Sequence, residues 1–344
     1  MGMKKRTRLA CAVLCGAWGL SALLSGCGSA LAAGAAENLP RTVMICYENN
    51  PGEPIDLACQ KWQQLVEERS GGSLEVKLYP SSQLGSKDNL IDQAVNGDCV
   101  VTLANGAFFQ DRGVKDFGVV FAPYLFKGWE DLDALRASDW WAEKEQELED
   151  EAGLRILTTW RYGARHTMTV SPVNSVADLH GKKIRVPNNT IQIKGFEALG
   201  ATPTPMSLGD VYTALQQHTI DGLENPLPVL VNGAYQEVAK YLLLDAHIYD
   251  ETCWVAGASF LDTLTEEQQA LLVDCGEEAG AYNTELLEQT TAEALQRLKE
   301  EGVTVTEVSH EDLAAAAASF YEDKDIKSMW SDGLIDRIRV IIGE

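Results

Sequence analysis

The sequence predicts an α/β fold in two lobes, with a hinge between them and long helices at the C-terminus. Three observations carry that expectation. The region from Arg41 to Asn105 reads strand, helix, strand, helix, strand, the opening of an α/β lobe. A second α/β unit follows between Lys183 and Pro226. The chain has 344 residues, 45% hydrophobic and 23% charged, enough for two lobes with separate cores. The first lobe is expected over 40–162 and 251–290. The second is expected over 163–250 and 291–344, with the C-terminal helices.

The N-terminus, MGMKKRTRLACAVLCGAWGLSALLSGC, places a basic start before an apolar run from Leu9 to Leu24. This is a signal-peptide pattern, too short and wrongly flanked for a durable membrane span. The run ends in Leu24-Ser25-Gly26-Cys27, the order of a bacterial lipobox, in which Cys27 takes the lipid. Residues 1–27 are therefore expected to be a lipoprotein signal, with Cys27 anchoring the protein to the membrane. Cleavage after Ala30-Leu31-Ala32, with simple secretion, is the alternative. Both put the mature protein outside the cytoplasm, in the periplasm or at the cell surface. Residues 28–39, small and featureless, read as a tether.

RTVMICYE is a strand by its β-branched and apolar content, stopped by the turn residues Asn49-Asn50-Pro51-Gly52. Asp56 to Arg69 is a helix, SLEVKLYP a second strand, and NLIDQAVNG a helix entered through Ser86-Lys87-Asp88. CVVTLANGA is a buried third strand. Glu48 and Asn105 thus sit at the carboxyl ends of two strands, where such sheets bind ligands. Residues 129–152 are helical and charged. LRILTTWRYG is a strand whose end carries Trp160, Arg161, Tyr162 and Arg165, an aromatic and cationic cluster at the expected lobe crossover.

KIRVP is a strand holding Arg185 between apolar neighbours. TIQIKGFEALG is a helix, and ATPTPM is extended because its two prolines forbid one. LGDVYTALQQHTI is a helix. DGLENP ends a strand with Asn225 ahead of proline. An extended return, 237–260, leads to a long helix from Leu264 with Gly280 as a candidate break. A short strand (VTVTEVS) and C-terminal helix close the chain.

Net charge is −23, and loss of Lys4, Lys5, Arg6 and Arg8 with the signal makes the mature chain more acidic. Such a surface excludes nucleic acid, whose phosphates need a basic face. Any anionic ligand must be captured by local cations against the overall field. Beyond Cys27 stand five cysteines, Cys46, Cys59, Cys99, Cys253 and Cys275, so at least one is unpaired. None lies in a CxxC pair, and no metal or cofactor is expected. There is no GxSxG, HExxH, phosphate-binding loop or GxGxxG at a strand–helix junction. A secreted enzyme acting on a small organic acid is the alternative function. The five histidines are scattered, which favours core or surface roles over catalysis.

Four segments carry a resemblance: LYPSSQLG at 78–85, NSVADLHGKKIRVPN at 174–188, ATPTPMSLGDVYTALQQHTIDGLENPL at 201–227 and LTEEQQALLVDCGEEA at 264–279. In this order they resemble the extracytoplasmic solute-binding subunits of TRAP transporters, in particular the sialic-acid and C4-dicarboxylate branch. The resemblance implies a two-lobed periplasmic-binding-protein fold. It also implies capture of an organic acid anion between the lobes and its delivery to membrane-embedded permease subunits. Arg185 matches the arginine that grips the carboxylate, a role suited to the planar guanidinium fork. Arg165 matches a second arginine that some branches aim at the ligand. Asn225 matches the asparagine of the ENP turn, and Asn188 a further polar contact. Glu48 and Asn105 match first-lobe contacts to the distal part of the ligand. There the sialic-acid pattern has Asn and Glu respectively, so the mismatch points to another hydroxylated acid.

Overall fold

A computed structural model describes residues 39–344. The expected signal, the Cys27 lipidation site and nearly all of the tether lie outside the described residues. The first strand, β1 (Arg41–Cys46), is followed by α1 (Pro54–Arg69), β2 (Leu74–Tyr79), α2 (Lys87–Val95) and β3 (Val100–Ala104). Both β2 and β3 pair with β1 in parallel. Proline at the first position opens α1, where its missing N–H costs nothing. A reciprocal cap between Ser86 and Asn89 opens α2.

Next come α3 (Gly106–Gln110), a 3-10 turn over Lys115–Phe121, α4 (Trp129–Arg136) and α5 (Asp139–Ala152). The expected strand at 154–163 is longer: β4 runs Leu154–Thr169. Then follow β5 (Lys183–Val186), α6 (Thr190–Ala198), β6 (Thr202–Pro205), α7 (Val211–Gln216), β7 (Gly222–Pro226) and α8 (Leu227–Asn232). A second long strand, β8 (Tyr241–Gly257), leads through the short α9 (Ala258–Leu261) into α10 (Glu266–Glu300). The chain ends with β9 (Thr304–Thr306), α11 (His310–Ala317), α12 (Lys324–Met329) and α13 (Leu334–Ile342).

The strand order is β2-β1-β3-β8-β4-β7-β5-β6, with β9 beside β8. The two long antiparallel strands join the β2-β1-β3 side of the sheet to its β7-β5-β6 side. The C-terminal part of β8 pairs with β3, whereas the C-terminal part of β4 pairs with β7. Their mutual register slips at Ile156/Thr158, Arg161/Gly163 and Arg165/Thr167. Such irregularities bend and twist a strand pair, which lets one ladder turn the sheet between its two sides. Gly163 sits at the middle slip with φ of 135°, and a Cβ there would stand 2.6 Å from Pro226 Cβ.

The helix α10 is continuous, without a break at Gly280. It packs on α1, β4 and α8, so it too touches both halves. α13 packs on α4, and Trp330 Nε1 donates to Gln110 Oε1 at 2.8 Å, which ties the C-terminus to the first half of the chain. α11 lies against α6. All five described cysteines are free thiols, and four are buried.

Candidate functional site

Parallel pairing of β5 with β7 sets Arg185 opposite Leu223. Side chains alternate along a strand, so Arg185, Leu223 and Asn225 project from one face and Ile184 and Glu224 from the other. Arg185 is buried, and its Nε and Nη2 both donate to the Met206 carbonyl, at 2.9 and 2.8 Å. That clamp fixes the guanidinium plane and leaves Nη1 without a hydrogen-bond partner among the described residues. Burial lowers its pKa, against the pull of Glu48 and Glu224. An arginine stays charged even so, because its ordinary pKa is so high. Asn225 is buried on the same face.

Opposite stands a wall from the first half of the chain. Glu48 follows β1, and its Oε1 meets Lys87 Nζ, at the N-terminus of α2, at 2.7 Å. Lys87 also lies over the Phe108 ring, 5.2 Å from its centroid. Burial pushes the Glu48 carboxyl up, but Lys87 and then Arg185 outweigh it and hold the group below the usual carboxylate range. Glu48, Ser86, Lys87, Arg185, Asn188 and Ser207 line one narrow cleft between the two walls. Only about 20 Å3 of it is open to a water-sized sphere, far below the roughly 300–1,000 Å3 of most small-molecule pockets, so the cleft is nearly closed. Asn105 precedes α3 and is buried, and its Oδ1 has no hydrogen-bond partner among the described residues.

Arg165 is placed differently. Antiparallel pairing puts it on the Glu224 face of the sheet, away from Arg185. Nε bonds Glu224 Oε2, Nη1 meets Asp250 Oδ2 at 2.7 Å, and Nη2 meets Glu224 Oε1 at 2.8 Å. Glu224 also receives Gln192 Nε2 at 3.1 Å and lies 3.2 Å from His247 Nε2. The far side of that imidazole, Nδ1, is 3.2 Å from Asp245 Oδ2. Asp245 in turn takes the N–H and hydroxyl of Thr167. Arg165 therefore anchors a buried ion network beneath α6, and its field still reaches Glu48.

Glu48, Asn188 and Arg185 thus come together around the cleft, with Asn225 on the Arg185 face. Lys87 was not singled out by its sequence position, since a lysine opening a helix reads as solvated. Glu224, His247 and Asp245 were also missed, because only the strand register brings them to Arg165. Trp160 is core, packed on Trp62 and Trp254. Tyr162 accepts from Asn49 Nδ2 at 3.0 Å, joining the end of β1 to β4. Among the described residues, no three His, Cys, Asp or Glu side chains are arranged to hold a metal ion.

Residues 45–326 match the bacterial extracellular solute-binding protein family 7. The chain belongs to that family. This family-7 protein is 30% identical to the sialic acid-binding periplasmic protein of Vibrio cholerae serotype O1, over 86% of this chain and 92% of that one. Two TRAP periplasmic solute-binding proteins of known structure are also similar. The one from Actinobacillus succinogenes 130Z, with bound L-galactonate, is 39% identical with a TM-score of 0.84, covering 88% of this chain and 99% of that one. The one from Ochrobacterium anthropi, with bound L-fuconate, is 38% identical with a TM-score of 0.84, at the same coverage. The family-7 protein is thus an extracytoplasmic solute-binding protein with the two-lobed α/β fold. No helix among the described residues is long and apolar enough to cross a membrane.

Proposed function

We propose that this protein captures a sugar acid in the cleft between its walls and hands it, unchanged, to TRAP permease subunits in the membrane. The observation that carries this reading is the Arg185 guanidinium, buried, clamped on one carbonyl and left with free donors beside a polar cleft. A carboxylate completes such a fork with charge-assisted bonds. Asn225 and Asn188 supplement that grip, and Glu48 with Asn105 reads hydroxyls on the distal part of the acid. Arg165 acts at one remove, through Glu224 and the strands it joins. The cleft is small for a six-carbon acid, so the ligand enters with the lobes further apart and the long strands β4 and β8 flex as the hinge. The bound sugar acids of two similar proteins support this ligand class. Cys27, by its lipobox, tethers the protein at the membrane surface next to the permease.

The test is calorimetric titration of the mature protein with L-galactonate, L-fuconate and related acids, followed by the Arg185 variants. Arg185→Ala is expected to weaken binding by roughly 1.5–3 kcal/mol or more, the worth of hydrogen bonds to a charged group. Arg185→Lys is also expected to bind poorly, since an ammonium cannot reproduce the fork. Undiminished affinity in Arg185→Ala sinks this reading.

A further inference from the structure

We infer that the Glu48–Lys87 pair makes the cleft selective for acids that carry one negative charge, polyhydroxylated monocarboxylates, over dicarboxylates. The inference rests on the carboxylate reading of the cleft and adds a charge count to it. Four charged side chains line the cleft: Glu48, Lys87, Asp88 and Arg185. Lys87 is paired with Glu48 at 2.7 Å, whereas Asp88 lies 3.7 Å from Arg112, which is held more closely by Asp92 at 3.1 Å. Among the described residues, Arg185 alone of the four has no carboxylate within ion-pair distance; its partner is the neutral Met206 carbonyl. The lining therefore offers one cation without a carboxylate partner, beside two carboxylates that repel a second anionic group.

The distal end of a bound acid meets the Glu48–Lys87 pair. A hydroxyl there can donate to Glu48 and accept from Lys87 at once, leaving the pair intact. A second carboxylate cannot. It must face Glu48, or take Lys87 from it and leave Glu48 as an unpaired, largely buried charge. Both members of the pair come from the first half of the chain, so the pair does not depend on how far the lobes are closed. Contact with Phe108 further restrains Lys87. The surrounding net negative charge also opposes a dianion twice as strongly as a monoanion.

The experiment compares L-galactonate with its aldarate, in which the terminal carbinol is also a carboxylate, by calorimetry on the mature chain. D-gluconate and its aldarate form a second pair. The wild type is expected to bind the monoanion at least about tenfold more tightly than the dianion of the bound pair. Glu48→Gln, which frees Lys87, is expected to move that ratio about tenfold or more toward the aldarate. Lys87→Gln, which leaves Glu48 bare, is expected to weaken both ligands and to keep or widen the monoanion preference. Equal or tighter aldarate binding by the wild type overturns the inference, as does an unchanged ratio in a folded Glu48→Gln. If Glu48→Gln does not fold, loss of the preference in Lys87→Gln overturns it instead. Absence of binding to any acid tested overturns the carboxylate reading itself, and the inference with it.

Discussion

Residue by residue, the second half of the site is governed by a buried chain of alternating charge: Arg165, Glu224, His247 and Asp245. Burial opposes ionisation of His247, yet Asp245 and then Glu224 raise its pKa from 6.5 to about 9. Burial likewise pushes Glu224 up, but Arg165 and His247 bring it down to about 2. Their contributions to stability have opposite pH limits. The His247 contribution is complete below about pH 6.5 and is lost as pH rises through about 9. The Glu224 contribution is complete above about pH 4.5 and is lost as pH falls through about 2. The melting temperature is therefore expected to fall between pH 6.5 and 9, and His247→Gln should melt lower but with a flatter profile over that interval. Parallel profiles for the two proteins would show that His247 is not the titrating group. Sequence singles out Arg185 and Asn225 because an arginine in an apolar strand and an asparagine before proline are each locally unusual, and the register sets both on one face. The ion partners of Arg165 were not legible, since they lie 59 and 85 residues away and only register joins them.

The elements themselves were largely readable, because hydrophobic periodicity, prolines and caps act locally. The three opening strands, the proline-bounded strand β6 and the long helix α10 fall where those signals place them. The full length of β4 was not readable: Arg161-Tyr162-Gly163 looks like a strand end, yet here it is an irregularity that the strand passes through. Nor does Gly280 break α10. It serves close packing, for a Cβ there would lie 2.5 Å from Trp160 Cδ1, and one at Gly276 would lie 2.9 Å from Trp62 and from Thr158. Trp160 cannot easily retreat, because its Nε1 donates to the Gly276 carbonyl at 2.9 Å. By intrinsic propensity, Gly→Ala in a helix gains about 1 kcal/mol. Overpacking a fixed indole costs roughly 1–3 kcal/mol. Gly280→Ala is therefore expected to lower stability in urea unfolding, and a gain in stability would mean that Trp160 repacks freely.

At the scale of the molecule, the two lobes share too much to be independent. Residues 40–344 form one contact unit. The strands β4 and β8, of 16 and 17 residues, form the middle of one nine-stranded sheet. α10 bridges α1 in one half and α8 in the other. One core cluster contains Trp62 and Leu65 from the first half with Leu223 and Leu230 from the second. Unfolding either lobe alone would strip the partner face from these shared elements, so heat should unfold the chain in one calorimetric transition. A ligand gripped between the walls must then stabilise both lobes together. At a free concentration of about 100 Kd it adds about 2.7 kcal/mol. The whole transition should move upward with ligand concentration while remaining single. Two resolved transitions, with only one responding to the acid, would place the binding energy in one lobe and separate the hinge strands from the fold of the other.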